Sequence, residues 1–187
     1  MEANSHNGQT TEIIQPEFTP KEFAIAELTW AKLKLRFNNQ VGLEIFRQIF
    51  ASCSQVKGLF GLQNKEDHTA LGDQRMARHT AIFQDIIELL IVDLSKRSDS
   101  LTQSLITLGA QHWFFNQRGF RPEYWVIFGN VLVNLIRSLP LSLSQRYLAR
   151  RTWVKLIVYL LDCVLFGYLQ QMSEVVKPTL PAPRESV

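Results

Sequence analysis

Only two cysteines, Cys53 and Cys163, occur in 187 residues, with no CxxC pair between them. That excludes a disulfide framework and a cysteine-based zinc site, and a reducing, cytoplasmic location is the simplest expectation. Charge of one sign is equally scarce as a block. The 20 basic and 17 acidic residues sum to +3 and are spread along the chain, so no nucleic-acid partner is expected. The opening MEANSHNGQTTEIIQ lacks the basic-then-apolar order of an export leader, and Glu2 stands where myristoylation needs glycine. The most apolar stretch, Trp153 to Leu169, is interrupted by Lys155 and Asp162, so it predicts a buried helix and no transmembrane segment. No Asn-Gly hairpin turn lies between alternating apolar runs, and the apolar segments are too long for strands.

What is present is helical spacing. With 46% hydrophobic residues the chain suits one domain, and a core of that size buries roughly two-thirds of the unfolded surface. Polar residues 1–18 and the proline-bearing 173–187 are expected as disordered tails around a domain at 19–172. Thr19-Pro20-Lys21-Glu22 supplies a hydroxyl cap, a proline for the first helical position and a glutamate to complete a capping box. Phe23, Ala26, Trp30, Leu33 and Phe37 then recur at helical intervals until Asn38-Asn39. Gly42, Ile45, Phe46, Ile49 and Phe50 form a second stripe, followed by a corner from Cys53 to Phe60 and a polar, loop-like stretch, GLQNKEDHTALGDQ. Further helices are expected from Met76 to Leu90, with a break at Ser95–Ser100, then from Leu101 to His112, from Tyr124 to Leu139, and from a Ser142/Gln145 capping box to Met172.

Two histidines fall on apolar faces. His79 shares one with Met76 and Phe83, and His112 stacks above Leu101, Leu105 and Leu108. Such a residue, taken alone, is more often a hydrogen-bonded core histidine than a ligand. A pair 33 positions apart on successive helices also meets the requirement of a haem held between two helices, one imidazole on iron and one facing the opposite side. If the two face each other across a slot lined by Phe46, Phe60, Phe83, Leu108 and Phe120, that slot is apolar and large enough for a macrocycle.

Trp30, Gly42, Phe60, His79-x3-Phe83, Leu108-Gly109-x2-His112 and the run from Trp153 to Gly167-Tyr168 resemble, in order and spacing, the globin family, invertebrate and neuroglobin-like members included. The resemblance covers about residues 19–170 and implies an all-α globin fold of about eight helices around a haem pocket. It implies haem b (iron protoporphyrin IX) with His112 as the proximal iron ligand and Leu108 under the ring. On the other side it implies His79 as the distal residue and candidate sixth ligand, Phe60 stacked on the haem, and Phe46 and Phe83 as bulky distal positions. Thr107 or Leu108 would accept a hydrogen bond from the proximal imidazole. The family has proline near the start of its third helix where Ser54 stands here, and the link from His112 to Pro122 is longer than usual.

The implied function is reversible binding of dioxygen or another diatomic gas, for storage, sensing or electron exchange. The partners it admits are that gas, an electron-donor or acceptor protein and a second copy of the chain in a homodimer. Nitric oxide dioxygenase or nitrite reductase activity would be secondary. The rival is a haem-free, globin-shaped interaction module in which both histidines are core residues. His68, Arg146, Arg150 and Arg151 read as solvated surface, and Arg118 or Arg121 as solvated or paired with a propionate.

Overall fold

Thr19 caps α1, Pro20–Arg36. Its hydroxyl accepts from the Glu22 amide at 3.2 Å, while the Glu22 carboxylate accepts from the Thr19 amide at 2.9 Å. Such a cap contributes about 1 kcal/mol. Glu22 is also buried at 2% exposure, with Lys155 Nζ 3.3 Å away. Burial alone would raise its pKa; the Thr19 hydrogen bonds and Lys155 outweigh that and bring it below the usual carboxylate range. Asn38 and Asn39, both with positive φ, turn the chain after α1.

The computed structural model describes residues 13–93 and 99–176. Among them the remaining helices are α2, Val41–Ser52; α3, Val56–Leu59; α4, Asp67–Leu71; α5, Gln74–Asp93; α6, Asp99–Trp113; α7, Glu123–Arg137; and α8, Leu143–Val176. A 3-10 turn, Asn116–Arg118, lies between α6 and α7, and the described residues contain no strand. The expected all-helical class is what the chain adopts.

Four local expectations change. The polar stretch after Phe60 contains α4, which buries Ala70 against α2 and α5. Asp99 and Ser100, expected in a break, start α6; residues 94–98 lie outside the described set. α8 continues to Val176, past Met172. Residues 13–18, expected within a tail, lie on the fold: Gln15 donates to Thr102 Oγ1 at 2.6 Å, and Lys155 bonds the Glu17 carbonyl and sits over the Phe18 ring. The rest of the two expected tails, residues 1–12 and 177–187, falls outside the described residues.

α8 is the central strut, packed on α6, α1 and α7, while α2 packs on α5, α7 and α4. It is long and apolar enough to cross a membrane by length and composition, yet 56% of that stretch is buried within the fold, as in a core helix. Trp153, fully buried, donates its indole N–H to Thr29 Oγ1 at 2.7 Å and lies 6.0 Å from the Trp30 ring. Two crossings are set by absent side chains. A Cβ on Gly42 would overlap the Thr80 carbonyl oxygen, so α2 meets α5 backbone to backbone. On Gly109 it would overlap the Val164 carbonyl, and on Gly167 the Ile106 carbonyl, so α6 is pressed onto α8.

Candidate functional site

α5 and α6 carry the two histidines and are held by different partners, α5 by α2 and α6 by α8. An open cleft of about 490 Å³ runs between them, with Ile86 and Leu89 on one wall and Leu101, Leu105, Leu108 and Gln111 on the other. That volume falls within the ~300–1,000 Å³ usual for cofactor and small-molecule sites. Its exposed lining is mainly apolar, with Ser100, Gln103, Ser104 and Thr107 at the rim.

His112 follows Gln111 on α6, just beyond the cleft lining. Its Nδ1 lies 2.8 Å from the Leu108 carbonyl oxygen, which can only accept, so Nδ1 carries the proton and Nε2 keeps its lone pair. Of the two acceptors the sequence allowed, Leu108 therefore serves; the Thr107 hydroxyl instead donates to the Gln103 carbonyl at 2.9 Å. Around His112 stand Phe120 at 5.2 Å between ring centroids, Trp125 at 5.4 Å and Phe115 at 6.0 Å.

His79 sits on the α5 side with Phe60 at 4.9 Å and Phe46 at 5.1 Å, both edge-on. Phe60 is placed by the corner after α3, where Arg75 Nη1 donates to its carbonyl at 2.7 Å. No hydrogen bond holds the His79 ring to any described residue. Burial first, and the nearby His112 second, lower its pKa to about 4, so it is neutral at pH 7. Burial lowers the His112 pKa as well, against the hydrogen bond to Leu108 that raises it.

The five expected apolar site residues are thus divided between the two imidazoles. Phe46 and Phe60 pack on His79, and Phe83 lies behind Phe46 at 6.0 Å and against Phe128 at 4.5 Å. Phe120 packs on His112. Of the five, Leu108 also lines the cleft. The rings prefer edge contacts with the imidazoles, and the aliphatic turns of α5 and α6 wall the open space. Trp125, Phe115 and Phe128 were missed. Trp125 begins the apolar run of α7, and its proximity to Pro122 and Phe120 was the available signal. Arg118 lies over the Phe115 ring at 5.5 Å, and His68 is at the surface beside Thr69.

The two imidazoles also govern acid stability. Protons bind the unfolded chain more readily than the fold between about pH 6.5 and pH 4, so the stability from neutral, half-buried His79 is full above that window and lost as pH falls through it. In the haem-free protein the loss should be about 3 kcal/mol. Urea unfolding at pH 7 and pH 4.5 should show a smaller pH difference for His79→Phe than for the parent chain; equal differences would refute the assignment.

Helix order, the glycine crossing of α2 on α5, the aromatic corner at Phe60 and a cleft between α5 and α6 together define a globin-type architecture. A sequence model of the globin family matches residues 43–158. The chain belongs to the globin family. It is similar to the globin-related protein glb-13 of Caenorhabditis elegans, with 25% identity over 114 residues. That alignment covers 61% of this chain and 40% of the relative, so the chain spans well under half of that protein's length.

Proposed function

We propose that this globin holds haem b between α5 and α6 and reversibly binds dioxygen or another diatomic gas. The observation that carries the reading is the proton placement on His112: Nδ1 is committed to Leu108, leaving the Nε2 lone pair as an iron ligand. The donor set fits the group, since neutral imidazole is a haem-iron ligand and the lining of the adjoining cleft is mainly apolar. Bound there, haem iron supplies a coordination position for a diatomic ligand.

The chain's own residues set how that position is used. Leu108 fixes the tautomer and orientation of His112 and raises its basicity. His79, neutral and without a hydrogen bond to any described residue, has both a lone pair and an N–H to offer. We assign it the sixth position when no gas is present. A gas would then have to displace it, which multiplies the apparent affinity by the open fraction and so lowers it. Displaced, the His79 N–H can donate to the ligand, a bond worth about 1.5–3 kcal/mol if the acceptor carries charge. Phe46 and Phe60 beside it exclude water and add no second donor. This favours a redox or sensing role over very tight oxygen storage, and cytoplasmic residence fits it.

The visible spectrum of the reduced, gas-free protein tests the reading. Sharp, split bands are expected with His79 in place, and one broad band in His79→Leu, with carbon monoxide association at least about 10-fold faster. A broad band in the parent protein would remove His79 from the sixth position. A folded, colourless protein that takes up no added haem would replace the whole reading with a haem-free interaction module.

A further inference from the structure

Two rings pack on the His79 imidazole, and they differ in how firmly they are fixed. Phe46 lies on α2, is 6% exposed, and stands against Phe50 at 6.2 Å and Phe83 at 6.0 Å. Phe60 is half-buried at the end of α3, a helix of four residues, where Gly61 turns the chain with a φ of 65°. An imidazole that swings outward must push one of these rings aside. Phe46 is locked in the core, so the ring that has to yield is Phe60.

What ties Phe60 down comes from the helix that carries His79. Arg75 lies in the first turn of α5, four residues before His79, and its Nη1 donates to the Phe60 carbonyl at 2.7 Å. The rest of the guanidinium is held from behind: Nε donates to Asp73 Oδ1 at 2.8 Å and Nη2 to Oδ2 at 2.9 Å, a two-pronged grip that fixes the plane of the group. Asp73 also accepts from the Arg75 amide at 3.0 Å and from Lys65 Nζ at 2.9 Å. Arg75 first and Lys65 second hold the Asp73 carboxyl well below the usual carboxylate range, so the grip is fully charged at neutral pH. In front, Gly61 leaves the guanidinium its room, since a Cβ there would stand 3.2 Å from Arg75 Nη1. The circuit closes on α5: Arg75 holds the backbone of Phe60, and the Phe60 ring packs on His79 at 4.9 Å.

We propose that Arg75, aimed by Asp73 and Lys65, is a positioning residue that keeps Phe60 against His79 and thereby sets how readily this imidazole gives way to a gas. The inference rests on the assignment of His79 to the sixth position. A plain surface arginine needs neither a bidentate carboxylate behind it nor a glycine before it. Arg78, exposed one turn further along α5, makes no hydrogen bond to Phe60 among the described residues and so supplies the comparison. Loosening the Arg75 bond lets the corner carry Phe60 away from the imidazole, which raises the fraction of protein with His79 swung aside.

Arg75→Gln removes the bond and the charge, and the side chain is exposed, so the core stays intact. In the haem-free protein, amide hydrogen exchange at residues 60–62 should run about fivefold faster, with exchange in α6 and α8 unchanged. In the reduced, haem-loaded protein, carbon monoxide should replace His79 about fivefold faster than in the parent chain. Arg75→Lys keeps the charge but cannot serve Asp73 and Phe60 together in the same geometry, so it should fall between the two. Arg78→Gln removes a charge nearer to His79 and should match the parent in both measurements. Faster exchange at the corner with unchanged replacement by carbon monoxide would overturn the proposal while leaving His79 on iron. An equal effect of Arg78→Gln would overturn it too, because charge and not position would then be at work. Unchanged exchange in Arg75→Gln would show that Phe60 is held without Arg75. A single broad band in the reduced, gas-free parent would instead strike the sixth-position reading, and the proposal with it.

Discussion

His112→Ala should purify without bound haem, or with affinity lowered roughly 100-fold or more, while keeping its helical content. The argument follows the lone pair. In the parent chain the Leu108 carbonyl holds the proton on Nδ1 at 2.8 Å, and no protein group is found on Nε2 among the described residues. Alanine removes that donor from a niche formed by Phe120, Trp125 and Phe115, none of which can ligate iron. Of the two imidazoles His79 would then remain, with no hydrogen bond among the described residues to set its tautomer. Free imidazole fits the vacated niche, so millimolar imidazole should restore a Soret band to His112→Ala. A mere loss of stability would not respond to imidazole. An unchanged haem-to-protein ratio in His112→Ala would remove this residue from the proximal role.

How far the sequence reached depended on whether the deciding contact was local. The start of α1 was legible because its cap is made within four residues, Thr19 to Glu22. His79 and His112 were legible by period, since each stacks over apolar neighbours on its own helix. The packing of residues 13–18 was not, because Gln15 is fixed by Thr102, 87 positions away. α4 was hidden for a similar reason: five residues with little periodic signal are helical because Ala70 is buried between α2 and α5. In the site, the sequence and its family resemblance left Thr107 and Leu108 as alternative acceptors for His112, and the structure selects Leu108. Trp125 was not identified, because its contact with His112 is made across the 3-10 turn and a left-handed Gly119, whose φ of 88° redirects the chain. The position of the cleft was also beyond periodicity, being set by which helices α5 and α6 lean on.

That leaning is what the second large effect exposes. Gly109→Val places a branched side chain where even a Cβ overlaps the Val164 carbonyl, and backbone on α8 has no rotamer with which to yield. The reciprocal glycine, Gly167, already sits against the Ile106 carbonyl and the Ala110 amide, so the crossing cannot slide to a neighbouring register without a second clash. α6 must therefore lift from α8. The expected cost is about 3 kcal/mol or more, seen as a melting temperature lower by roughly 10 °C in a chain of this length. α6 carries His112 three residues further on, and lifting the helix would displace the imidazole that would hold haem iron. Gly109→Val should consequently lose haem affinity as well as stability, whereas Gly42→Ala, which disturbs the α2–α5 crossing against Thr80, should act first on the His79 side and change gas association more than haem retention. Equal melting temperatures for Gly109→Val and the parent chain would show that α6 is not clamped to α8, and that His112 owes its placement to the aromatic niche alone.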